Sequence, residues 1–291
     1  MILKNFGLLN IFPLIVAFAV TAVLGPVFIP WLHKLKFGQE IREEGPKWHQ
    51  KKSGTPTMDG IMFIIGIGVA VVATVAMTAL KGNLDVVFVK RCLLPYLIAL
   101  GFGIIGFVDD YIKVVKKRNL GLTARQKTFL QLFVSAAYLS TLGLSGMHTT
   151  YIPFLGNVDI VSGFGLIFWP IALMFIYGFT NAVNLTDGVD GLASSVTLVV
   201  GCAFMLGAGL LGNSTMNVLG AALAGGCVGF LIWNAKPAKV FMGDTGSMFL
   251  GGMVVALAYA IDCPIILVFF GIIYVIEALS DVIQIGYFKI T

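Results

Sequence analysis

Asn184, Asp187 and Asp190 recur every three residues in the stretch NAVNLTDGVDGLA, which runs from Asn181 to Ala193. On a helix or a tight turn that spacing projects all three to nearly one side. Turn chemistry accounts for one or two Asn and Asp residues beside glycine. It does not account for Asn181, Asn184, Thr186, Asp187 and Asp190 together at the edge of an apolar run.

Two further acidic motifs stand far from this one. Asp109 and Asp110 are adjacent in GFVDDYIK, where the two carboxylates repel each other and a helix C-terminus would already disfavour negative charge. Tolerating both calls for a cation, either a metal or the lysines that follow. Lys113, Lys116 and Lys117 share a face if the helix continues through them. Attraction to anionic lipid, worth about 1 kcal/mol per residue near the surface, explains such lysines but not the aspartates. Asp244 lies between glycines in VFMGDTGS. There Asp-Thr-Gly-Ser before an apolar run also reads as a helix N-cap, and a helix N-terminus favours anions. Glu277, Asp281 and Gln284 fall on one face of the last apolar run, and ionisable groups inside a membrane helix point to function. A weaker signal is GPKWHQKKSGTPTMDG, whose lysines could hold an anionic group. The donors throughout are carboxylates, amides and hydroxyls, without a histidine or cysteine cluster. That set selects a hard cation, Mg²⁺ or Mn²⁺, over zinc. Such a cation is bound through one or two carboxylates and a substrate's phosphates, so acids and lysines can share one phosphoryl-transfer site.

The elements that must position these residues are membrane helices. The chain has 291 residues, 58% hydrophobic and 11% charged, with a mean hydropathy of +0.96. A soluble domain would carry about 25% charged residues. About nine runs are long enough to cross a bilayer: 8–32, 60–80, 91–108, 128–146, 163–181, 191–211, 215–235, 246–262 and 263–288. They are continuously apolar, which favours helices over a barrel. The expected fold is an all-α polytopic membrane protein, one catalytic domain over 1–291. The first run is too long for the core of a signal peptide. Cys92, Cys202, Cys227 and Cys263 are isolated and read as small core residues. His33, His49 and His148 form no ligand spacing.

With alternating spans, the loops 33–59, 109–127, 182–190 and 236–245 and the chain end share one side. That side holds 15 of the lysines and arginines against 4 on the other, which makes it cytoplasmic. All three acidic motifs fall there, as one active-site cleft requires.

Taken together, NAVNLTDGVDGLA, GFVDDYIKV, KKRNLGLTARQK, SGTPTMDG and NAKPAKVFMGDTGS resemble the signature segments of the phospho-N-acetylmuramoyl-pentapeptide transferases, within the polyprenyl-phosphate sugar-1-phosphate transferases. The resemblance runs in order from about residue 45 to the end. It implies transfer of phospho-N-acetylmuramoyl-pentapeptide from its UDP carrier to undecaprenyl phosphate, giving lipid I and UMP with Mg²⁺, in the bacterial plasma membrane. It further implies Asp244 and Asp187 as metal ligands, and Asp109 and Asp110 at the lipid phosphate and reacting centre. Lys113 is implied at a phosphate, and Asn184, Asp187 and Gly188 at the diphosphate. Asp190, Asn234 and Phe241 are implied in the uridine pocket, with Gln284 carried over from the last helix. A homodimer and sensitivity to nucleoside antibiotics that mimic uridine are also implied, and nucleic acid is not an expected partner. The resembled family usually has Gly where this chain has Asp59, an acid that could weaken donor binding or pair with a lysine. That family also continues into a loop with a run of histidines and a tenth helix, whereas this sequence ends at Thr291. Two rivals remain: a transferase using another UDP-sugar such as UDP-N-acetylglucosamine, and a transporter. A transporter would place its acids near the bilayer midplane, whereas here they gather at one face.

Overall fold

The computed structural model describes residues 8–34, 57–82, 85–116, 120–211 and 213–290. Among these residues, ten helices and one short hairpin follow in order. They are α1 (Leu8–Lys34), α2 (Ile61–Leu80), α3 (Val86–Val115), α4 (Ala124–Leu144), β1 (Thr149–Ile152), β2 (Gly156–Asp159), α5 (Phe168–Thr186), α6 (Leu192–Leu211), α7 (Ser214–Asn234), α8 (Gly243–Ala260), α9 (Ile266–Phe270) and α10 (Ile272–Ile290). A 3₁₀ turn, Gly163–Ile167, leads into α5.

The chain is an all-α polytopic membrane protein. Six segments among the described residues are long and apolar enough to cross a bilayer: Ile11–Lys34, Ile61–Leu80, Val86–Val115, Gly163–Thr186, Leu192–Gly209 and Thr215–Asn234. The helices α4, α8 and α10 carry more polar residues and fall outside that set, so the count of nine spans rests on sequence alone.

Several helices run further than their apolar stretches. The third run extends to Val86 and Val115, so Asp109, Asp110 and Lys113 lie on α3 and not in a loop. Asp85 starts this helix by accepting the Val87 N–H at 3.0 Å, a capping bond of the usual kind. Likewise α5 reaches Thr186 and α8 begins at Gly243, taking residues from the expected loops 182–190 and 236–245. These polar helix ends persist because their side chains bond to neighbouring helices. The last expected run is broken at Gly271 into α9 and α10. Much of the loop 33–59, including the lysines of GPKWHQKKSG, lies outside the described residues, as do Lys117 and Arg118.

At the centre stands α8, buried from Thr245 to Tyr259 and packed chiefly on α3 and α5. A second group, α1, α2, α6 and α7, packs around it. Polar ties stitch the apolar core. Tyr138 donates to the Ala256 carbonyl at 3.2 Å, and the hydroxyls of Thr197 and Tyr274 meet at 2.6 Å. The four cysteines are free, buried or half-buried.

The hairpin was not legible in the sequence. Its strands pair antiparallel, with Thr149 opposite Asp159 and Ile152 opposite Gly156. So short a pair is marginal alone, and here tertiary bonds hold it. The Tyr151 N–H donates to the Asp262 carbonyl at 2.9 Å, and Trp169 Nε1–H to the Ile160 carbonyl at 2.9 Å.

Candidate active site

Four helix ends meet at one face of the bundle: the C-terminal parts of α3 and α5 and the N-termini of α4 and α8. Two of them carry a charge that their own dipole favours. Asp109, Asp110 and Lys113 stand on the last turns of α3, where Lys113 also suits the negative end of the helix dipole. Asp244 lies in the first turn of α8, the end that favours an acid. Thr123 and Gln126 form a reciprocal capping box on α4, which fixes Lys127 in its first turn.

One oxygen from each of Asp109, Asp110 and Asp244 lies within 4.8 Å of the others. Asp109 and Asp110 are each only 3% exposed. Lys113 Nζ bridges all three, at 2.6 Å from Asp109, 3.7 Å from Asp110 and 2.9 Å from Asp244. Lys127 Nζ adds a second ion pair to Asp244 at 2.9 Å. Asp109 Oδ1 accepts the Leu122 N–H at 2.8 Å, tying α3 to the loop before α4. Asp110 Oδ2 accepts both the N–H and the hydroxyl of Thr245, at 2.9 and 2.7 Å. It thereby satisfies one of the free N–H groups that begin α8, where Met242 supplies no side-chain cap.

Asn184 joins this cluster from α5, its amide donating to Asp244 at 3.0 Å and to Ser247 at 2.7 Å. Asp187 closes the same helix at its C-cap. Burial, and then the negative charges of Asp244, Asp110 and Asp190, push its carboxyl well above the usual range. Asn181, three residues before Asn184, turns away from the cluster. It exchanges two amide bonds with Gln131 of α4, at 3.0 and 3.2 Å.

Asp190, Asn234 and Phe241 surround the adjoining loop 235–242. Asp190 accepts the Ala238 N–H at 3.2 Å. Buried Asn234 accepts from the Gly191 N–H and the Ser194 hydroxyl and donates to the Val240 carbonyl at 2.9 Å. Phe241 is half-buried beside it, and Gly188 is exposed on the preceding turn. Gln284 is not brought to this face by any bond among the described residues; its amide donates to Ser280 at 2.9 Å. Half-buried Glu277 and Asp281 also lie on α10, away from the three-carboxylate group.

Two glycines make the approach geometrically feasible. A Cβ on Gly106 would overlap the Asp244 carbonyl, so a side chain there would drive α3 and α8 apart. Gly243 has φ +68°, and a Cβ on it would stand 2.5 Å from Asp110 Oδ2 and 2.9 Å from Thr57 Oγ1. Sequence reasoning named neither, nor Lys127, Thr245, Ser247 and Gln131, as site residues. The Thr123–Gln126 capping pattern marks the start of α4 but not that Lys127 in its first turn reaches Asp244.

Asp59 has an unexpected place. It is fully buried, and neither oxygen has a hydrogen-bond partner among the described residues. Burial pushes its carboxyl up to about 8. Its N–H donates to the Phe241 carbonyl at 3.1 Å, and that of Gly60 to Met242 at 3.2 Å. The turn before α2 is thus docked on the loop that leads into Asp244.

The fold and this charged face define a membrane-embedded transferase: the model of glycosyl transferase family 4 matches residues 92–262. A phospho-N-acetylmuramoyl-pentapeptide-transferase of Heliobacterium modesticaldum is 47% identical over 279 residues, 95% of this chain and 83% of that protein. Those of Clostridioides difficile and Acetivibrio thermocellus are each 46% identical, over 95% and 97% of this chain and 83% and 82% of theirs. The chain belongs to the phospho-N-acetylmuramoyl-pentapeptide transferases of glycosyl transferase family 4.

Gly106→Ala should lower turnover at least tenfold while the protein still folds, because forcing a methyl into a packed crossing costs about 1–3 kcal/mol. Turnover and thermal melting of the variant, measured together, check this. Asp59 gives a second expectation. Unfolded, it ionises near 3.9; folded, it keeps its proton to about 8. The folded state therefore holds more protons between those values, and its stability falls as pH rises from about 4 to 8, by up to about 1.4 kcal/mol per unit. Above 8 the decline stops. Asp59→Asn should remove this slope, as melting at pH 5, 7 and 9 would show.

Proposed function

We propose that the chain transfers phospho-N-acetylmuramoyl-pentapeptide from its UDP carrier to undecaprenyl phosphate, releasing UMP, in bacterial peptidoglycan synthesis. The carrying observation is the cluster of Asp109, Asp110 and Asp244 bridged by Lys113 and Lys127 at one end of a membrane bundle. The relatives, named phospho-N-acetylmuramoyl-pentapeptide-transferases, support this choice of transferred group. The positive-inside asymmetry supports a cytoplasmic position for this face, where a soluble nucleotide donor would arrive while the lipid acceptor stays in the bilayer.

The donor set fits a divalent cation. Three carboxylates (Asp109, Asp110, Asp244) gather around two ammonium groups among the described residues, close enough to Asp187 for the charges of Asp244 and Asp110 to raise its carboxyl. A divalent ion would relieve that crowding of acids, and the ligands are hard oxygens. Asp244 and Asp187 would hold Mg²⁺, which supplies charge neutralisation at the diphosphate. Lys113 and Lys127 neutralise the phosphates further, and Asn184 fixes the carboxylate of Asp244. Asp190, Asn234 and Phe241 shape the loop that receives the uridine.

In the step itself an oxygen of the lipid phosphate attacks the β-phosphorus. The bond from that phosphorus to the bridging oxygen breaks, and its electron pair leaves on UMP. The second pKa of a phosphate monoester is about 6, so the nucleophile is already mostly dianionic at neutral pH. Asp109 has little proton to remove. Its oxygens face Leu122 N–H and Lys113, which suits positioning and charge stabilisation, the main needs of phosphoryl transfer.

UMP release by the full chain, with undecaprenyl phosphate and either the pentapeptide donor or UDP-N-acetylglucosamine, tests the reading. Release from the pentapeptide donor alone, abolished by Asp244→Asn or by a chelator and restored by Mg²⁺, is the expected outcome. Release only from the other donor would overturn the substrate assignment. Asp109→Asn should keep most activity above pH 7 and lose it below. Near-total loss at every pH would exclude the positioning role.

A further inference from the structure

The end of the bundle remote from the carboxylates carries its own surface. It lies beyond the C-termini of α4 and α8 and before α5, where the hairpin is bonded to Asp262 and to Trp169. We propose that this hairpin and the 3₁₀ turn after it are a membrane-interface foot, with Phe154, Leu155 and Phe164 inserted among the lipids of that leaflet.

Exposure, charge and continuity carry the inference. Phe154 is wholly exposed at the tip (104%), Leu155 is exposed beside it, and Phe164 is 92% exposed. The Phe154 ring is held outward by a backbone at φ +70°, a conformation bulky residues rarely adopt. No lysine or arginine occurs from Ser145 to Phe168, and the only carboxylate is Asp159. That carboxylate is turned onto its own chain, accepting from the Val161 N–H at 2.7 Å and the Ser162 hydroxyl at 2.6 Å. The surface is therefore apolar and lacks the cations that bind anionic headgroups. It suits insertion into hydrocarbon rather than electrostatic adhesion or pairing with a charged protein. Finally, Phe164 continues into Ile167, Ile171 and Met174, all exposed and spaced by three and four residues along a segment apolar enough to span the bilayer. That spacing makes one lipid-facing stripe, which begins at the 3₁₀ turn that follows the hairpin.

The test is nitroxide accessibility in the full chain in phosphatidylcholine bilayers, with Cys92, Cys202, Cys227 and Cys263 replaced by alanine. A label on Phe154→Cys should be relaxed more by oxygen than by a water-soluble nickel complex. The reverse is expected for a label on Lys81→Cys, in the exposed turn after α2 at the same end. In a Phe154→Asp background, a label on Leu155→Cys should shift towards nickel while UMP release is kept, showing that the bundle remains folded. Greater relaxation by nickel at position 154 would overturn the proposal. So would a label accessible to neither reagent and broadened by a second label, since a second copy of the chain would then cover the tip.

Discussion

Three carboxylates held within 4.8 Å of one another at one end of the helix bundle form the constraint on which the architecture turns. Two like charges about 4 Å apart repel by about 4 kcal/mol at an effective dielectric constant of 20. That repulsion must be offset by groups brought from elsewhere. Here they come from separate elements: Lys113 from α3, Lys127 from α4, Asn184 from α5, the Thr245 N–H from α8 and the Leu122 N–H from a loop. The bundle's polar end is thus a charge-balance problem solved by converging helix ends. Lys113 and Asp244 suit the dipoles of their own helix ends, whereas Asp109, Asp110 and Lys127 sit against theirs and are held by partners across the cluster.

The apolar remainder sets how closely those ends can meet. The buried helix α8 has nearly every side chain in the core, and its first turn reaches α3 only because Gly106 carries no Cβ. One turn inward from Lys127 and Asn184, Gln131 and Asn181 exchange paired amide bonds between α4 and α5. In a low-dielectric setting such paired amides are costly to separate, so they hold the two helices that carry those side chains in register. The turn at Asp59 is the reverse case: an acid is buried without a partner among the described residues in the joint that supports the Asp244 loop. The joint is closed well enough to keep that carboxyl protonated.

The legible parts of the sequence were those with a period or a charge out of place. Continuous apolar runs gave the helical membrane fold, and the adjacent aspartates with the threefold spacing of Asn184 and Asp187 pointed to the charged face. Helix ends were misjudged where polar residues continue a helix by bonding to another one, as on α3 and α5. Lys127 was counted as a topology charge because nothing local distinguishes a lysine that reaches a carboxylate 117 residues away. The hairpin was missed because its stability comes from Asp262 and Trp169, distant in sequence. Asp59 stood out as an odd acid, yet an acid in a loop reads as solvated, and only the docked turn reveals its burial.

The hydrogen bonds also separate three aspartates that look alike in sequence. Asp110 is committed to the start of α8 through the backbone and hydroxyl of Thr245. Asp109 is anchored on one side to the backbone of Leu122. Among the described residues, Asp244 is held by side chains, chiefly Lys113, Lys127 and Asn184. Moving Asp110 or Asp109 would break backbone structure. The partners of Asp244 can swing on flexible stems, and an ammonium on such a stem can pass from carboxylate to phosphate when a charged ligand arrives. Of the three, Asp244 is therefore the one able to exchange its cations without unfolding its surroundings. That property supports its assignment as a metal ligand, with Lys113 and Lys127 released to the diphosphate in the same exchange.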